Sequence, residues 1–367
     1  MARKYKIVIS DQHLGSGHRP GRVNPHESFE HDEKLVEFLR HYSTDFFEDE
    51  EVELIIAGDF YDFLAVRTSR GYTTKITEEL ALEKLAACVA GHREVHEALA
   101  SFVQSPRKTL TVLVGNHDME LVFPGVQSAF RRYLTGDPAD PRIRFITDRP
   151  AYEFDGIHIQ HGQQFEAMHH FNFRELTLRR GRGRAPILNL PWGSQFILRV
   201  LVPLKEQRPY LDKVRPFRAY LIRALVFDTL FFWKVVWLSL WNFIETRFGN
   251  LRHLRARMRQ TWTLIREANI YPDLLHKVRH LFDRHPDVHT VIVGHTHVPQ
   301  VRVLEGGRLY VNTGCWTDTV SFDLGTFGQR ALPTYALITY PDDAGARPTV
   351  KLFEWHGYHD LYREVRR

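Results

Sequence analysis

The chain has 367 residues, 43% hydrophobic and 25% charged, with 23 Gly, 18 Pro and a formal net charge of +5. That composition excludes a wholly disordered or collagen-like protein and allows one large domain, or one domain carrying an insertion. Two cysteines, Cys88 and Cys315, exclude a disulfide framework and a thiolate zinc cluster, whereas 21 histidines supply imidazole for metal binding and proton transfer.

The opening residues hold one basic cluster and then a strand-like run, Lys6–Ser10, without the apolar core of a secretion signal. A cytoplasmic protein with reduced thiols is therefore expected. Leu35, Phe38, Leu39 and Tyr42 recur at helical spacing and predict a helix over about 31–47. Leu54–Ala57 predicts a second strand, closed by Gly58. Glu78–Val103 reads as one long amphipathic helix through Leu82, Leu85, Ala86, Val89, Leu99 and Phe102. Thr109–Val114 is a third strand, closed by Gly115, and the alternation over Tyr152–Gln160 predicts a fourth. Thr290–Val293 ends at Gly294, and Val301–Val311 predicts a hairpin turned at Gly306-Gly307. Alternating strands and helices indicate an α/β layered domain.

Polar blocks follow these strands: Asp11-Gln12-His13, Gly58-Asp59-Phe60-Tyr61-Asp62, Gly115-Asn116-His117-Asp118, Gln160-His161-Gly162 and Gly294-His295-Thr296-His297. In open α/β sheets, ligands gather at the carboxyl ends of strands. Carboxylate, amide and imidazole without thiolate suit divalent manganese, iron or zinc. A carboxylate bridging two such ions helps them activate water and clamp the oxygens of a phosphorus centre. Each block alone is a weak signal, because an isolated Gly-Asp is more often a turn and an isolated Asn-His more often a cap. Five blocks in order, each after a strand, make coincidence the poorer explanation.

Together the blocks resemble the calcineurin-like metallophosphoesterase superfamily, whose pattern runs D-x-H, G-D-x-x-D, G-N-H-D/E, a single His and G-H-x-H. The likeness covers residues 5–162 and 288 to about 355. It implies a four-layer αββα sandwich with a dinuclear metal centre at its loop edge, into which the chain's own pattern inserts a helical cap. Position by position, it implies that Asp11, His13 and His297 hold one divalent ion and that Asn116, His161 and His295 hold a second. Asp59 would bridge both, and manganese is the expected ion. The resemblance makes His117 the residue that contacts phosphate and protonates the leaving oxygen. Asp62 and Asp118 are expected behind the ligands, as hydrogen-bond partners.

The core is expected over 1–164 and 276–367, with 165–275 as a basic, aromatic-rich helical insertion. Residues 165–273 carry 19 Lys+Arg against 8 Asp+Glu, and five of the seven tryptophans. Arg179-Arg180-Gly181-Arg182-Gly183-Arg184 reads as a flexible basic loop. Leu225–Ile244 holds 15 apolar residues in 20, and on a helix Asp228, Ser239 and Asn242 form a narrow polar stripe. Asp228 and Lys234 argue against a membrane span. A helix packed in a cap is the first reading and an interfacial helix the second. Arg247, Arg252, Arg255, Arg257 and Arg259 suit anionic lipid headgroups or a phosphate polymer.

The placement of the insertion, and the passage His161-Gly162-Gln163-Gln164-Phe165, are similar to the UDP-2,3-diacylglucosamine pyrophosphatase-like branch of lipid A synthesis. There, inserted helices close over acyl chains. The best-known members carry Arg where this chain has His117, and the insertion here is longer and more basic. The expected substrate is an amphiphilic, lipid-linked phosphate or pyrophosphate met at the inner face of a membrane, with His169, His170, Arg179 and Arg180 as candidate contacts. The alternatives are a nuclease or nucleotide phosphodiesterase that tracks nucleic acid with its arginines, and a non-catalytic scaffold binding protein or membrane. His18, His26 and His31 are expected in structural or solvent roles, and the polar atoms of Asn312–Cys315 in support of the Gly294–His297 loop.

Overall fold

The computed structural model describes residues 2–18, 21, 23–179, 183–208, 214–215, 228–248, 274–318, 320–321, 333–343, 345–357 and 362–364. The longer strands are β1 (Lys4–Ile9), β2 (Glu51–Ala57), β3 (Lys108–Leu113), β4 (Ile143–Ile146), β5 (Tyr152–Phe154), β6 (Ile157–Ile159), β7 (Thr290–Val293), β8 (Gln300–Val303), β9 (Leu309–Asn312), β10 (Thr334–Thr339), β11 (Thr349–Trp355) and β12 (Tyr362–Glu364). A seven-stranded sheet has the order β12-β11-β10-β1-β2-β3-β4, and a five-stranded sheet the order β8-β9-β7-β6-β5. Strands β1 to β4 run parallel, as do β6, β7 and β9. Their unbroken apolar runs fit this placement, because a central parallel strand is covered on both faces.

The layers follow from which face each side chain takes. Val8, Ile55, Ala57 and Leu113 meet Ile157, Ile159, Ile292 and Val311 in a seam between the sheets. The opposite face of the larger sheet, through Ile7, Leu54, Ile56 and Val112, is covered by four helices. These are α1 (Asp32–His41), α2 (Glu78–Gly91), α3 (Arg93–Gln104) and α4 (Pro124–Thr135), packed through Phe38, Leu85, Phe102 and Phe130. Two further helices are α5 (Thr229–Phe248) and α6 (Leu274–Arg284). Val278, Leu281 and Phe282 of α6 cover Val291, Val293 and Tyr310 on the outer face of the smaller sheet. The result is the four-layer α/β/β/α arrangement expected.

Three local expectations need correction. The single helix over Glu78–Val103 is two helices, broken at His92 (φ −125°, ψ 52°). Gly91 there lies against the backbone of Ser16 and Gly17, so close that no Cβ would fit, and the chain turns aside. The strand over Tyr152–Gln160 is a hairpin, turned at Asp155 (φ 46°) and Gly156 (φ 70°), the Asp-Gly pair that favours such turns. The first helix stops at His41, and Asp45–Phe47 form a separate 3-10 turn. The hairpin over Val301–Val311 is present, with positive φ at both Gly306 and Gly307.

Four side chains of the first part of the expected insertion reach the larger cluster of the core. Phe171, Leu188, Leu190 and Leu198 pack into the same cluster as Leu121 and Phe130. Trp192–Phe196, Ile197–Leu201 and Val202–Lys205 form a continuous helical run with a π-helical middle. Val200 and Leu204 of that run bury Phe231 and Val235 of α5. Helix α5 realises the expected Leu225–Ile244 helix, with 225–227 outside the described residues.

Candidate metal centre

The parallel register brings the five blocks to one edge. Asp11 and His13 follow β1, Asp59 and Asp62 follow β2, and Asn116, His117 and Asp118 follow β3. His161 follows β6, while His295 and His297 follow β7, its parallel neighbour. Asp11, His13, Asp59, His295 and His297 are five of the eight non-glycine residues with positive φ among the described residues. Such backbone is costly for residues with a Cβ and persists where surrounding structure imposes it, commonly at functional sites. Glycines make room for these turns. A Cβ on Gly115 would collide with the Asp59 carboxylate, and one on Gly294 with that of Asp11.

One ligand atom each from Asp11, His13 and His297 lie within 4.8 Å of one another, and the same holds for Asp59, His161 and His295. His297 Nε2 is 3.3 Å from Asp11 Oδ1, and His13 Nε2 is 3.2 Å from His297 Nε2. Asp59 Oδ2 stands between the two groups, 3.8 Å from His13 Nε2 and 3.1 Å from His161 Nε2. Ala57 O lies 2.9 Å from His161 Nδ1, which leaves Nε2 to face Asp59. The backbone N–H of His295 donates to Asp11 Oδ2 at 2.9 Å, and that of His117 to Asp59 Oδ1 at 2.8 Å, so the loops bind one another's candidate ligands.

The residues fit a divalent pair. Asp11 Oδ1, Asn116 Oδ1 and His161 Nε2 are buried and make no well-aligned hydrogen bond among the described residues, although imidazole or carboxylate lies near the first and last. Buried donors and acceptors are seldom left so, and those of Asp11 and His161, set among the grouped side chains, point to an ion as their partner. Oxygen and imidazole donors together suit borderline divalent metals. Burial opposes charge on Asp11 and Asp59, yet the surrounding histidines, His161 foremost, hold both carboxyls well below their usual range. His161 is pushed up to about 10: burial works against its charge, and Asp59 and Asp11 outweigh it.

His117 stands beside the ligands. Its ring meets His13 edge-on at 4.7 Å, and its Nδ1 is 2.8 Å from Asp62 Oδ1. Burial lowers its basicity, but Asp62 and Asp59 raise it to about 9, while burial fails to keep Asp62 from falling to about 2 beside that imidazole. Asp118 takes the backbone N–H groups of Phe60 (2.9 Å) and Gly115 (2.7 Å), tying the second loop to the third. Asn312 Nδ2 donates to Gly294 O (2.9 Å) and supports the last loop as expected. His31 is paired with Asp318 at 3.1 Å, and His26 packs on Tyr72.

Of the candidate substrate contacts, His169 reaches the centre, its ring 5.3 Å from that of His295. His170 is exposed beside Gln164 O, and Arg179 is exposed. Arg180, Arg252, Arg255, Arg257 and Arg259 lie outside the described residues. The strand-end pattern does not reveal Glu166, whose Oε2 lies 3.0 Å from His295 Nε2, or Ser194, whose Oγ donates to Asn116 O at 3.0 Å. Neither belongs to a block at a strand end. Three histidines fall within the ten residues from 161 to 170, at His161, His169 and His170, and that density is the available hint.

No protein-family model matches the chain, and no curated protein matches it. Solved structures similar to it include a predicted phosphoesterase from Streptococcus pneumoniae, 14% identical, covering 100% of this chain and 99% of that one, with a TM-score of 0.30. A dimetal phosphatase from Danio rerio is 11% identical over 100% and 99% of the two chains, with a TM-score of 0.38. Zinc-complexed Vps29 from Entamoeba histolytica is 11% identical over 98% of each, with a TM-score of 0.33. At that level of overlap, the site stands on its own side chains.

Proposed function

We propose that the chain is a dinuclear metal-dependent phosphoesterase. The supporting observation is the convergence of Asp11, His13, Asp59, His161, His295 and His297 at one edge of two sheets, with Asn116 following the end of β3 at that edge. Asp11, His13 and His297 would hold one ion, Asn116, His161 and His295 the other, and Asp59 both. Bound there, such ions polarise phosphoryl oxygens and supply a nucleophile from water at neutral pH. His117 gives its Nδ1–H to Asp62, which orients Nε2 to carry a proton to the leaving oxygen. Asp118 holds the loops that carry Asp59 and Asn116 in register.

The insertion supports an amphiphilic phosphate or pyrophosphate, met at an anionic membrane surface, over a nucleic acid. Helix α5 packs by its more polar side: Phe231, Val235 and Asn242 are buried, and neighbouring Asp228 pairs with Arg208 at 2.6 Å. Trp233, Trp237 and Trp241 are 58%, 63% and 58% exposed, together with Leu230, Leu240 and Ile244. An outward face of this composition suits a lipid interface, where tryptophan is favoured. Among the described residues, no helix is long and apolar enough to cross a membrane.

Hydrolysis of bis(p-nitrophenyl) phosphate by the manganese-loaded chain tests the chemistry. Activity should vanish with chelator and with Asp59→Asn. A chain that binds metal but cleaves neither phosphodiester nor pyrophosphate would support the scaffold alternative instead.

A further inference from the structure

We infer that Glu166 is the positioning residue of His295, and that through it the first turn of the insertion holds the second half of the metal centre. The inference rests on the dinuclear reading and extends it to a residue outside the five blocks. Glu166 Oε2 lies 3.0 Å from His295 Nε2, and its side chain is 16% exposed. A carboxylate on one imidazole nitrogen makes that nitrogen the proton carrier and leaves the lone pair a cation needs on the other, Nδ1.

His161 receives the complementary treatment. Ala57 O engages its Nδ1 at 2.9 Å, so Nε2 faces Asp59. The two imidazoles of this half are thus oriented from different sides, one by the end of β2 and the other by the insertion. Glu166 is itself anchored: its backbone N–H donates to Gln163 O at 3.1 Å, and Gln163 Nε2 donates to Val114 O at 3.1 Å. His169 closes the arrangement, with Nε2 3.9 Å from the same Glu166 oxygen. Ser194, further along the insertion, binds the carbonyl oxygen of Asn116. Both Glu166 and Ser194 therefore act on the residues assigned to the second ion. Loss of Glu166 should weaken that ion and spare the one held by Asp11, His13 and His297.

The test is calorimetric titration of Mn2+ into the metal-free full chain, its Glu166→Ala variant and its Glu166→Gln variant, with thermal melting of each metal-free form. The unaltered chain should take up two equivalents. Glu166→Ala should weaken the second roughly 10–100-fold and leave the first unchanged. Glu166→Gln should lose less, because its amide oxygen still accepts from Nε2–H. Equal affinities in Glu166→Ala and the unaltered chain, or equal losses at both sites, overturn the inference and leave the dinuclear reading intact. So does a fall in metal-free melting temperature that accounts for the whole loss. An unaltered chain that binds fewer than two ions removes the dinuclear reading and this inference together.

Discussion

The loops of the candidate metal centre bury polar groups, whereas helix α5 exposes apolar ones. Asp11 and Asp59 are 0% and 1% exposed, while the three tryptophans of α5 stand more than half exposed. Both arrangements are unfavourable for a chain alone in water. A buried carboxylate demands a compensating charge, and a contiguous apolar face demands an apolar surface to meet. The difference lies in what enforces each one. The loops are fixed by two sheets, by glycines that admit no Cβ and by mutual backbone hydrogen bonds. Helix α5 is held by a small cluster around Phe231 and Val235 and by polar contacts from Arg208 and Gln207. The loops should therefore respond sharply to small changes, and the helix face should respond in proportion to the apolar area removed.

The largest effect should come from one methyl group. Gly115→Ala is expected to displace Asp59, abolish binding of both ions and eliminate hydrolysis while the far-ultraviolet circular dichroism stays unchanged. Retained metal stoichiometry in that variant would mean the loops are softer than their contacts indicate. Next is His117→Gln, which should lower kcat ~10²–10⁴-fold with metal content intact. The loss should shrink for a p-nitrophenyl ester, whose leaving group needs no proton. An equal loss with good and poor leaving groups would remove the proton-donor role.

On the other region, replacing Trp233, Trp237 and Trp241 together with Ser should lower partitioning onto anionic vesicles by about tenfold or more. Turnover of a small soluble ester should not change. Unaltered sedimentation with vesicles would leave the α5 face without a lipid role. The smallest effect concerns the support beneath the first loop. Glu27 accepts from the backbone N–H groups of Gly15 (3.2 Å) and Gly17 (2.6 Å) and faces His92 Nε2 at 3.3 Å, while Asp32 lies 2.7 Å from His92 Nδ1. His96 Nδ1 contacts the His92 carbonyl, and the Phe29 ring packs on the imidazole. Burial opposes protonation of His92, but Asp32 and Glu27 push it up to about 9 from an ordinary value of 6.5. The folded chain then holds a proton that the unfolded chain releases. Stability from this group is complete below pH 6.5 and fades as pH rises toward 9. Denaturation of the metal-free chain should show this slope, and His92→Gln should flatten it.

The loops and the helix also differ in how far the sequence alone revealed them. Each of the five polar blocks announced itself, because an apolar strand ended at a glycine or polar turn beside an unusual set of donors. The same signal located the strands and therefore the layers. The break at His92 was hidden, since Gly91 is tolerated in a helical pattern and only its approach to Gly17 ends the helix. The turn at Asp155-Gly156 was visible as a residue pair but was submerged in the alternation around it. For α5, periodicity separated a polar stripe from an apolar surface, yet a pattern cannot say which side meets the rest of the chain. Glu166 escaped because its partner, His295, is 129 residues away, and pairing across that distance depends on the sheets already being in place.

Anomalous diffraction from crystals grown with Mn2+ addresses the central claim most directly. Two peaks about 3.5–4 Å apart, with Asp59 between them, Asp11, His13 and His297 around one and Asn116, His161 and His295 around the other, are the predicted result. A single peak, or a pair that leaves Asp59 unshared, would contradict it.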